Sequence, residues 1–215
     1  MNDILQVRTP GVSFYVLRWE KGLYLIDAGF IGGLWFLKRV LGSQGWSHLP
    51  ICGILLTHGH LDHVLNVSSL MKTTGAWVAG PLLDGEHFSG QYPYKGLSRV
   101  CGLMEATGKR LLNFRPFGID RWLHDGETLP IFGGLSVIHL PGHTIGHCSF
   151  YIESEKILFC GDLFASYGRF SYLPSAIYND CPQYFAASLE KASSLDLNGV
   201  LPNHCGRTSA EIHLK

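Results

Sequence analysis

Four side chains of the types that bind metal ions follow the apolar segment 52–57 within six consecutive residues: His58, His60, Asp62 and His63. A continuous apolar run of this length is typical of a strand that is covered on both faces. Three imidazoles and a carboxylate in one turn serve no packing purpose, because buried polar groups without partners cost free energy. Imidazole and carboxylate together suit zinc, iron or manganese. The segment therefore predicts a metal site at the end of a buried strand.

Three further polar residues end other apolar runs in the same way. His143 follows the run that leads to Gly142, Asp162 follows the segment 157–161, and His204 follows the segment 199–203. A cluster of four side chains does not complete the coordination of two ions, so further ligands are expected at other strand ends. These three residues are predicted to join the first four in one site.

The pattern along the chain alternates between strands and helices, which predicts an α/β or α+β fold. A hairpin is predicted from strands 12–19 and 23–26, and a helix from apolar spacing over 34–41. A helix to about Thr74 and a strand over 76–79 follow the His/Asp segment. Later strands are predicted near 128–132, 135–140, 148–152, 156–161 and 199–201.

Two helix starts are read from capping signatures. Asp180 with Gln183 predicts a helix that runs to about Ser194. Thr208 with Glu211 predicts another, yet only four residues follow, so the natural chain is expected to continue beyond Lys215. No linker is visible, so residues 1–215 are taken as a single domain. The segment 80–116 is the least regular part, with one helix predicted around 97–106, and is taken as a lid.

The charge balance, the hydrophobic content and the cysteines limit the partners and the cellular compartment that can be expected for the protein. Seventeen basic and 17 acidic residues argue against nucleic acid or an anionic membrane as the main partner. A 46% hydrophobic content excludes intrinsic disorder, and the apolar runs are strand-sized, far short of a membrane span. Six cysteines without a secretory signal predict free thiols. We expect a cytoplasmic protein acting on a small molecule; its oligomeric state is left open.

The motifs resemble those of metallo-β-lactamase-fold hydrolases, and the likeness covers nearly the whole chain. The family pattern His-x-His-x-Asp-His is met by residues 58–63, and its third histidine by His143 within 141–147. The family's aspartate and final histidine match Asp162 and His204, and its first motif matches Asp27 within 25–29. The resemblance implies an αββα sandwich, in which two mixed β-sheets lie face to face with helices outside.

The resemblance also implies a dinuclear centre, with two Zn²⁺ as the expected ions and iron or manganese as substitutes. One ion would be held by His58, His60 and His143. The other would be held by Asp62, His63 and His204, with Asp162 bridging the two. A bridging hydroxide would attack an ester-like carbonyl, and Asp62 would orient it and pass its proton to the leaving group. Asp27 and His147 would support the ligands without binding metal.

Within this family the chain is similar to the short glyoxalase-II-like branch. Asp162 stands where true metallo-β-lactamases carry Cys or Ser, and the segment 161–164 followed by Gly168-Arg169 and Leu173-Pro174 matches the branch. The branch hydrolyses thioesters such as S-lactoylglutathione. We expect the chain to lack the helical C-terminal domain that grips glutathione in longer members, so a thioester, ester or lactone is the expected substrate. Substrate contacts are predicted for aromatic and basic residues of one segment: Tyr167, Arg169, Phe170 and Tyr172.

Other functions are possible on the same fold. A mononuclear iron persulfide dioxygenase would use His58, His60 and His143 alone, and β-lactamase or phosphodiesterase activity is a further alternative. A non-catalytic scaffold protein would be expected to lose ligands, whereas all seven positions are filled here. The remaining histidines match no motif and are interpreted as ordinary polar residues: His48, His87, His124, His139 and His213.

Overall fold

The structure is a computed structural model that describes residues 3–20, 22–167 and 170–205, with the backbone alone for residues 167 and 170. Its strands are β1 (Ile4–Arg8), β2 (Ser13–Trp19), β3 (Gly22–Ile26), β4 (Ile51–Leu55), β5 (Trp77–Pro81), β6 (Arg121–Leu123), β7 (Thr128–Leu129), β8 (Leu135–His139), β9 (Cys148–Ile152), β10 (Ile157–Gly161), β11 (Ala165–Tyr167), β12 (Phe170–Tyr172) and β13 (Gly199–Pro202). Its α-helices are α1 (Gly33–Ser43), α2 (Leu61–Val64), α3 (Val67–Thr74), α4 (Gly85–Phe88), α5 (Arg99–Leu111) and α6 (Phe185–Ser193).

Two mixed sheets carry most of the strands. The first has the order β1-β2-β3-β4-β5-β6, in which β1, β2 and β3 pair antiparallel and β3 to β6 pair parallel. The second has the order β13-β10-β9-β8-β7, in which only β10 and β13 pair parallel. A separate hairpin joins β11 and β12. The parallel pairs place successive strand ends at one edge, which is the arrangement that brings their following residues together.

The packing follows the order helix, sheet, sheet, helix. The central layer of side chains comes from the facing sides of both sheets, for example Tyr15 from β2 against Phe159 from β10, whose rings lie 5.2 Å apart. The outer face of the first sheet packs against α1 and α3. The outer face of the second sheet packs against α6. The predicted αββα sandwich of two mixed sheets is therefore confirmed.

Several predicted elements are confirmed, including the hairpin of β2 and β3, helix α1 and the last strand, β13. The sequence reading missed β1, a short edge strand, and β6, which has only three residues. The helix predicted to end near Thr74 is divided into α2 and α3. The segment 80–116 is more regular than expected, because it contains α4 as well as α5, and α5 confirms the helix predicted around 97–106.

The helix start predicted at Asp180 is wrong. The chain forms a 3-10 turn over Pro182–Tyr184, and α6 begins only at Phe185 without a side-chain cap. The carboxylate of Asp180 caps neither of these elements and lies instead 3.2 Å from Nε2 of the buried His87. The capping signature of Thr208 and Glu211 lies outside the described residues.

All six cysteines are free thiols, as predicted, and four of them are buried. Among the helices of the described ranges, none has the length and apolar character needed to cross a membrane.

Candidate metal centre

The predicted ligands follow strands that end at one edge of the sandwich. His58 comes three residues after β4, Asp162 directly follows β10, and His204 comes two residues after β13. His143 follows β8, which runs in the same direction as β10 because both pair antiparallel with β9. Helix α2 carries Asp62 and His63, and His60 lies at its N-terminal end. The structure thus brings all seven side chains to one place.

One half of the centre consists of three imidazoles, those of His58, His60 and His143. Their ligand atoms lie within 4.8 Å of one another, and Nδ1 of His60 is 2.8 Å from Nε2 of His143. All three side chains are buried. Burial and the neighbouring histidines lower the pKa of His58 and of His60, and burial lowers the pKa of His143. These rings are therefore neutral near pH 7, which is the form that binds a metal ion.

The other half contains carboxylates as well as imidazoles. Nε2 of His204 lies 3.3 Å from Oδ2 of Asp62, and Nε2 of His63 lies 3.8 Å from the same oxygen. Burial by itself would lower the pKa of His63, but the carboxylates of Asp162, Asp62 and Asp27 raise it well above its usual value. Burial is likewise outweighed at His204, whose pKa the carboxylates raise to about 12. Positive charge is thus strongly favoured in this half.

The carboxylate of Asp162 connects the two halves. Its oxygens lie 3.4 Å from Nε2 of His63, 3.3 Å from Nε2 of His143 and 3.1 Å from Nε2 of His204. The preceding residue, Gly161, has φ +56°, and a Cβ there would lie 2.6 Å from His147. A side chain at this position would push Asp162 out of place, so glycine is required.

The donor set fits metal ions. Buried ligand atoms without a hydrogen-bond partner include Nε2 of His58, Nε2 of His63 and Oδ1 of Asp162. Buried polar atoms of this kind carry a large desolvation cost unless they have a partner. The seven side chains form three overlapping groups able to hold a metal ion: His58-His60-His143, His58-His63-Asp162 and Asp62-His63-His204.

Asp27 holds His63 and the loop that begins at Thr57 in position through its carboxylate. This buried carboxylate accepts hydrogen bonds from the backbone N–H and the hydroxyl of Thr57, both at 2.8 Å. It also accepts one from Asn203 at 2.7 Å and lies 2.9 Å from Nδ1 of His63. With Nδ1–H bound to Asp27, the Nε2 atom of His63 is free to face a metal ion.

His147 supports Asp162 in a different way. Its Nε2 atom accepts a hydrogen bond of 3.0 Å from the backbone N–H of Asp162, and Nδ1 donates to the carbonyl oxygen of Leu140 at 2.9 Å. Burial and the nearby His143 lower the pKa of His147 to about 3, so the ring stays neutral and can accept this bond.

The sequence reading missed Asp84, a buried carboxylate that joins two ligand-bearing loops. It accepts hydrogen bonds from the N–H of Gly59 at 2.9 Å, the hydroxyl of Thr144 at 2.7 Å and the N–H of Gly146 at 2.8 Å. The loop that carries His58 and His60 is thereby held against the loop that carries His143. Asp84 follows the end of β5, the same signal that identified the ligands.

The structure also corrects the interpretation of His87 as an ordinary polar residue. This histidine is fully buried, and its ring lies 5.3 Å from that of His60. Ligand atoms of His60, His87 and Asp180 lie within 4.8 Å of one another. Next to them, Asn179 lies 3.0 Å from Nδ1 of His143. No local sequence pattern indicates this arrangement, because its members come from distant segments.

Of the predicted substrate residues, Tyr172 is the one whose side chain is described. It is 54% exposed and is not among the described residues that line the cavity over the predicted metal ligands. Arg169 lies outside the described residues, and so does the side chain of Tyr167. Their roles remain predictions.

The Asp180→Asn substitution is expected to weaken metal binding by about 10-fold, the lower end of the effect of removing a carboxylate near a ligand, because Asp180 lies within 4.8 Å of the ligand atom of His60 without a hydrogen bond to it. The substitution removes the negative charge beside His60 and His87 while keeping the shape of the side chain. Competition with a chromophoric chelator measures the affinity. Glu86→Gln, which removes an exposed charge next to His87, is the control and should leave affinity unchanged. Equal affinities of the two variants would contradict the role of Asp180.

Comparison with known proteins assigns the chain to one family. The family model described as the metallo-beta-lactamase superfamily matches residues 7–202. The chain is 31% identical over 182 residues to the hydroxyacylglutathione hydrolase of Aeromonas hydrophila, covering 84% of this chain and 56% of that protein. It is 33% identical over 146 residues to the hydroxyacylglutathione hydrolase GloC of Haemophilus influenzae, covering 67% and 62%. The chain thus spans less than two thirds of the length of these relatives.

Solved structures show the same fold. The metallo-beta-lactamase family protein TTHA1429 from Thermus thermophilus superposes with a TM-score of 0.75 at 24% identity, covering 96% of this chain and 74% of that one. TTHA1623, solved in a di-iron-bound form, superposes with a TM-score of 0.71 at 27% identity, covering 95% and 92%.

Proposed function

This chain belongs to the metallo-β-lactamase superfamily, and from that premise we propose that it is a metal-dependent hydrolase with two metal ions. The observation that carries the proposal is the meeting of five imidazoles and two carboxylates in three overlapping groups at one edge of the sandwich. The bridging position of Asp162, which lies close to histidines of both halves, favours two ions over one.

In this proposal His58, His60 and His143 hold one ion. Asp62, His63 and His204 hold the other, with Asp162 between them. Zinc suits these ligands, and iron does so as well. The di-iron form of TTHA1623 supports two-metal binding on this fold. A pair of bound ions would polarise the substrate carbonyl and supply hydroxide at neutral pH.

Other roles would fall to side chains of the protein, namely proton transfer and the positioning of the metal ligands. The Asp62 side chain is one-third exposed and lines the cavity, so it can reach a water molecule and the leaving group. We assign it the transfer of a proton to the leaving thiol or alcohol. Asp27 and His147 keep His63 and Asp162 in position through the hydrogen bonds described above.

The proposed substrate is a small thioester, ester or lactone. Two relatives at 31% and 33% identity are named hydroxyacylglutathione hydrolase, which supports thioester chemistry. The glutathione part is not carried over, because the chain spans only 56% and 62% of these relatives. We propose the cytoplasm as the location, in keeping with six free thiols.

Metal analysis combined with a substrate panel tests this function. We expect about two metal ions per chain and hydrolysis of thioesters, esters or lactones in preference to phosphodiesters and β-lactams. Asp62→Ala should lower kcat by on the order of 10²–10⁴-fold, the usual range for a group that transfers a proton. A single iron per chain together with oxygen consumption on persulfides would replace the hydrolase by a dioxygenase. Full activity of a folded Asp62→Ala variant would reject the role of Asp62.

A further inference from the structure

A cavity of about 480 Å³ opens over the proposed metal ligands and includes His60, Asp62, Asp162 and His204 in its wall. Its volume lies within the range of sites that enclose small organic ligands. Apart from the metal ligands, most of the wall is apolar. The apolar side chains come from four separate parts of the chain: Phe30, Leu61, Met104, Phe164, Leu173 and Pro174.

We infer that this cavity binds an unbranched apolar acyl chain, so that the preferred substrates are thioesters or esters of such acids. The hydrolysis of these substrates rests on the proposed hydrolase function. Binding of the acyl chain is a separate property, which depends on the cavity wall. A carbonyl over the metal centre would place the acyl chain along the apolar side chains, since both line the same cavity.

The described part of the wall offers no basic side chain to a strongly anionic substrate. Among the described residues that line the cavity, Glu105 is the one charged side chain besides the histidines and the proposed metal ligands Asp62 and Asp162. Glu105 is already engaged, because it accepts a hydrogen bond of 2.7 Å from the N–H of Leu61 and pairs with Lys109 at 2.6 Å. The carboxylates of a glutathione moiety would thus find no lysine or arginine in this part of the wall, and burying them unpaired is costly.

Two apolar side chains of the wall are half-exposed. Met104 on α5 is 52% exposed, and Leu173 is 50% exposed. Apolar surface that is contiguous with a cavity is typical of a binding groove for an apolar ligand. The flexible side chain of methionine adapts to ligands of different length. An acyl chain lying between Met104 and Leu173 would remove both from water.

The test measures binding of straight-chain carboxylic acids, from acetate to decanoate, to the protein as purified with its metal. We expect the dissociation constant to fall by about fourfold per added methylene until the cavity is filled, the factor that corresponds to burial of one methylene. In hydrolysis, kcat/KM for acyl thioesters of one common thiol should rise in the same way and exceed that for S-lactoylglutathione.

Matched variants locate the effect. Met104→Lys places a cation in the apolar wall and should remove most of the dependence on chain length. Leu103→Lys changes the neighbouring residue, which is 72% exposed and not among the residues lining the cavity, and should retain that dependence.

The outcomes are distinguishable. A dissociation constant that does not change with chain length, or a preference for S-lactoylglutathione over the longer acyl thioesters, overturns the inference. Chain-length-dependent binding without hydrolysis of any ester or thioester supports the inferred site and rejects the proposed function.

Discussion

Replacing Asp162 by alanine is expected to lower kcat/KM by on the order of 10³-fold, equivalent to about 4 kcal/mol of lost transition-state stabilisation. Asp162 is the carboxylate that lies close to histidines of both halves, at 3.3 Å from His143 and 3.1 Å from His204. Without it the two halves share no bridging ligand. We therefore expect the metal content to fall from about two ions per chain towards one, because the three imidazoles of the first half remain.

Steady-state kinetics and elemental analysis of the same preparation measure both effects. Asp196→Asn is the matched control, because the Asp196 side chain is 74% exposed and pairs with Lys156 at the surface. It should leave activity and metal content unchanged. An Asp162→Ala protein that folds, keeps two ions and retains activity would show that Asp162 does not bridge.

Removal of the metal ions is expected to abolish hydrolysis and to lower the melting temperature by about 10 °C. Ligand present at about 1,000 times its dissociation constant stabilises a folded protein by about 4 kcal/mol, and for a chain of this length 1 kcal/mol corresponds to about 2–4 °C. The physical reason lies in the site: without ions, buried atoms such as Nε2 of His58 and Oδ1 of Asp162 have no hydrogen-bond partner.

Calorimetry before and after treatment with a chelator measures this shift, and added zinc should restore both the melting temperature and the activity. The Asp162→Ala variant is the informative comparison, because it should lose less stability on chelation than the unaltered chain. The proposed metal centre would be rejected if the chelated protein, shown free of metal by elemental analysis, melted at an unchanged temperature and still hydrolysed substrate.

The extent to which sequence patterns predicted this protein differs between its parts. The seven residues that meet at one edge of the sandwich are predictable as ligands because they follow apolar runs, as His58 follows β4 and Asp162 follows β10. Such a signal is local, since the strand and the residue after it are neighbours in the chain. The same reasoning overlooked Asp84, although this residue follows β5 in the same manner. Asp84 belongs to none of the motifs that the chain shares with the family, so its position after a strand was the one local signal.

Local signals misled where a tertiary contact outweighed them. Asp180 has the spacing of a helix cap, yet its carboxylate lies 3.2 Å from His87 and α6 begins later. The segment 80–116 is irregular in composition, with glycines, prolines and aromatics, but its predicted helix around 97–106 is confirmed as α5, which contributes Met104 and Glu105 to the cavity wall.

By itself, the amino-acid sequence determined the alternation of strands and helices, the predicted ligands and the family to which the chain belongs. These depend on spacing along the chain, which tertiary contacts do not alter. Only the tertiary structure decided which side chains contact the predicted ligands, such as His87 next to His60. It also decided that the cavity wall is apolar. Both properties arise from segments far apart in sequence, whose side chains meet only when the two sheets and their helices have packed.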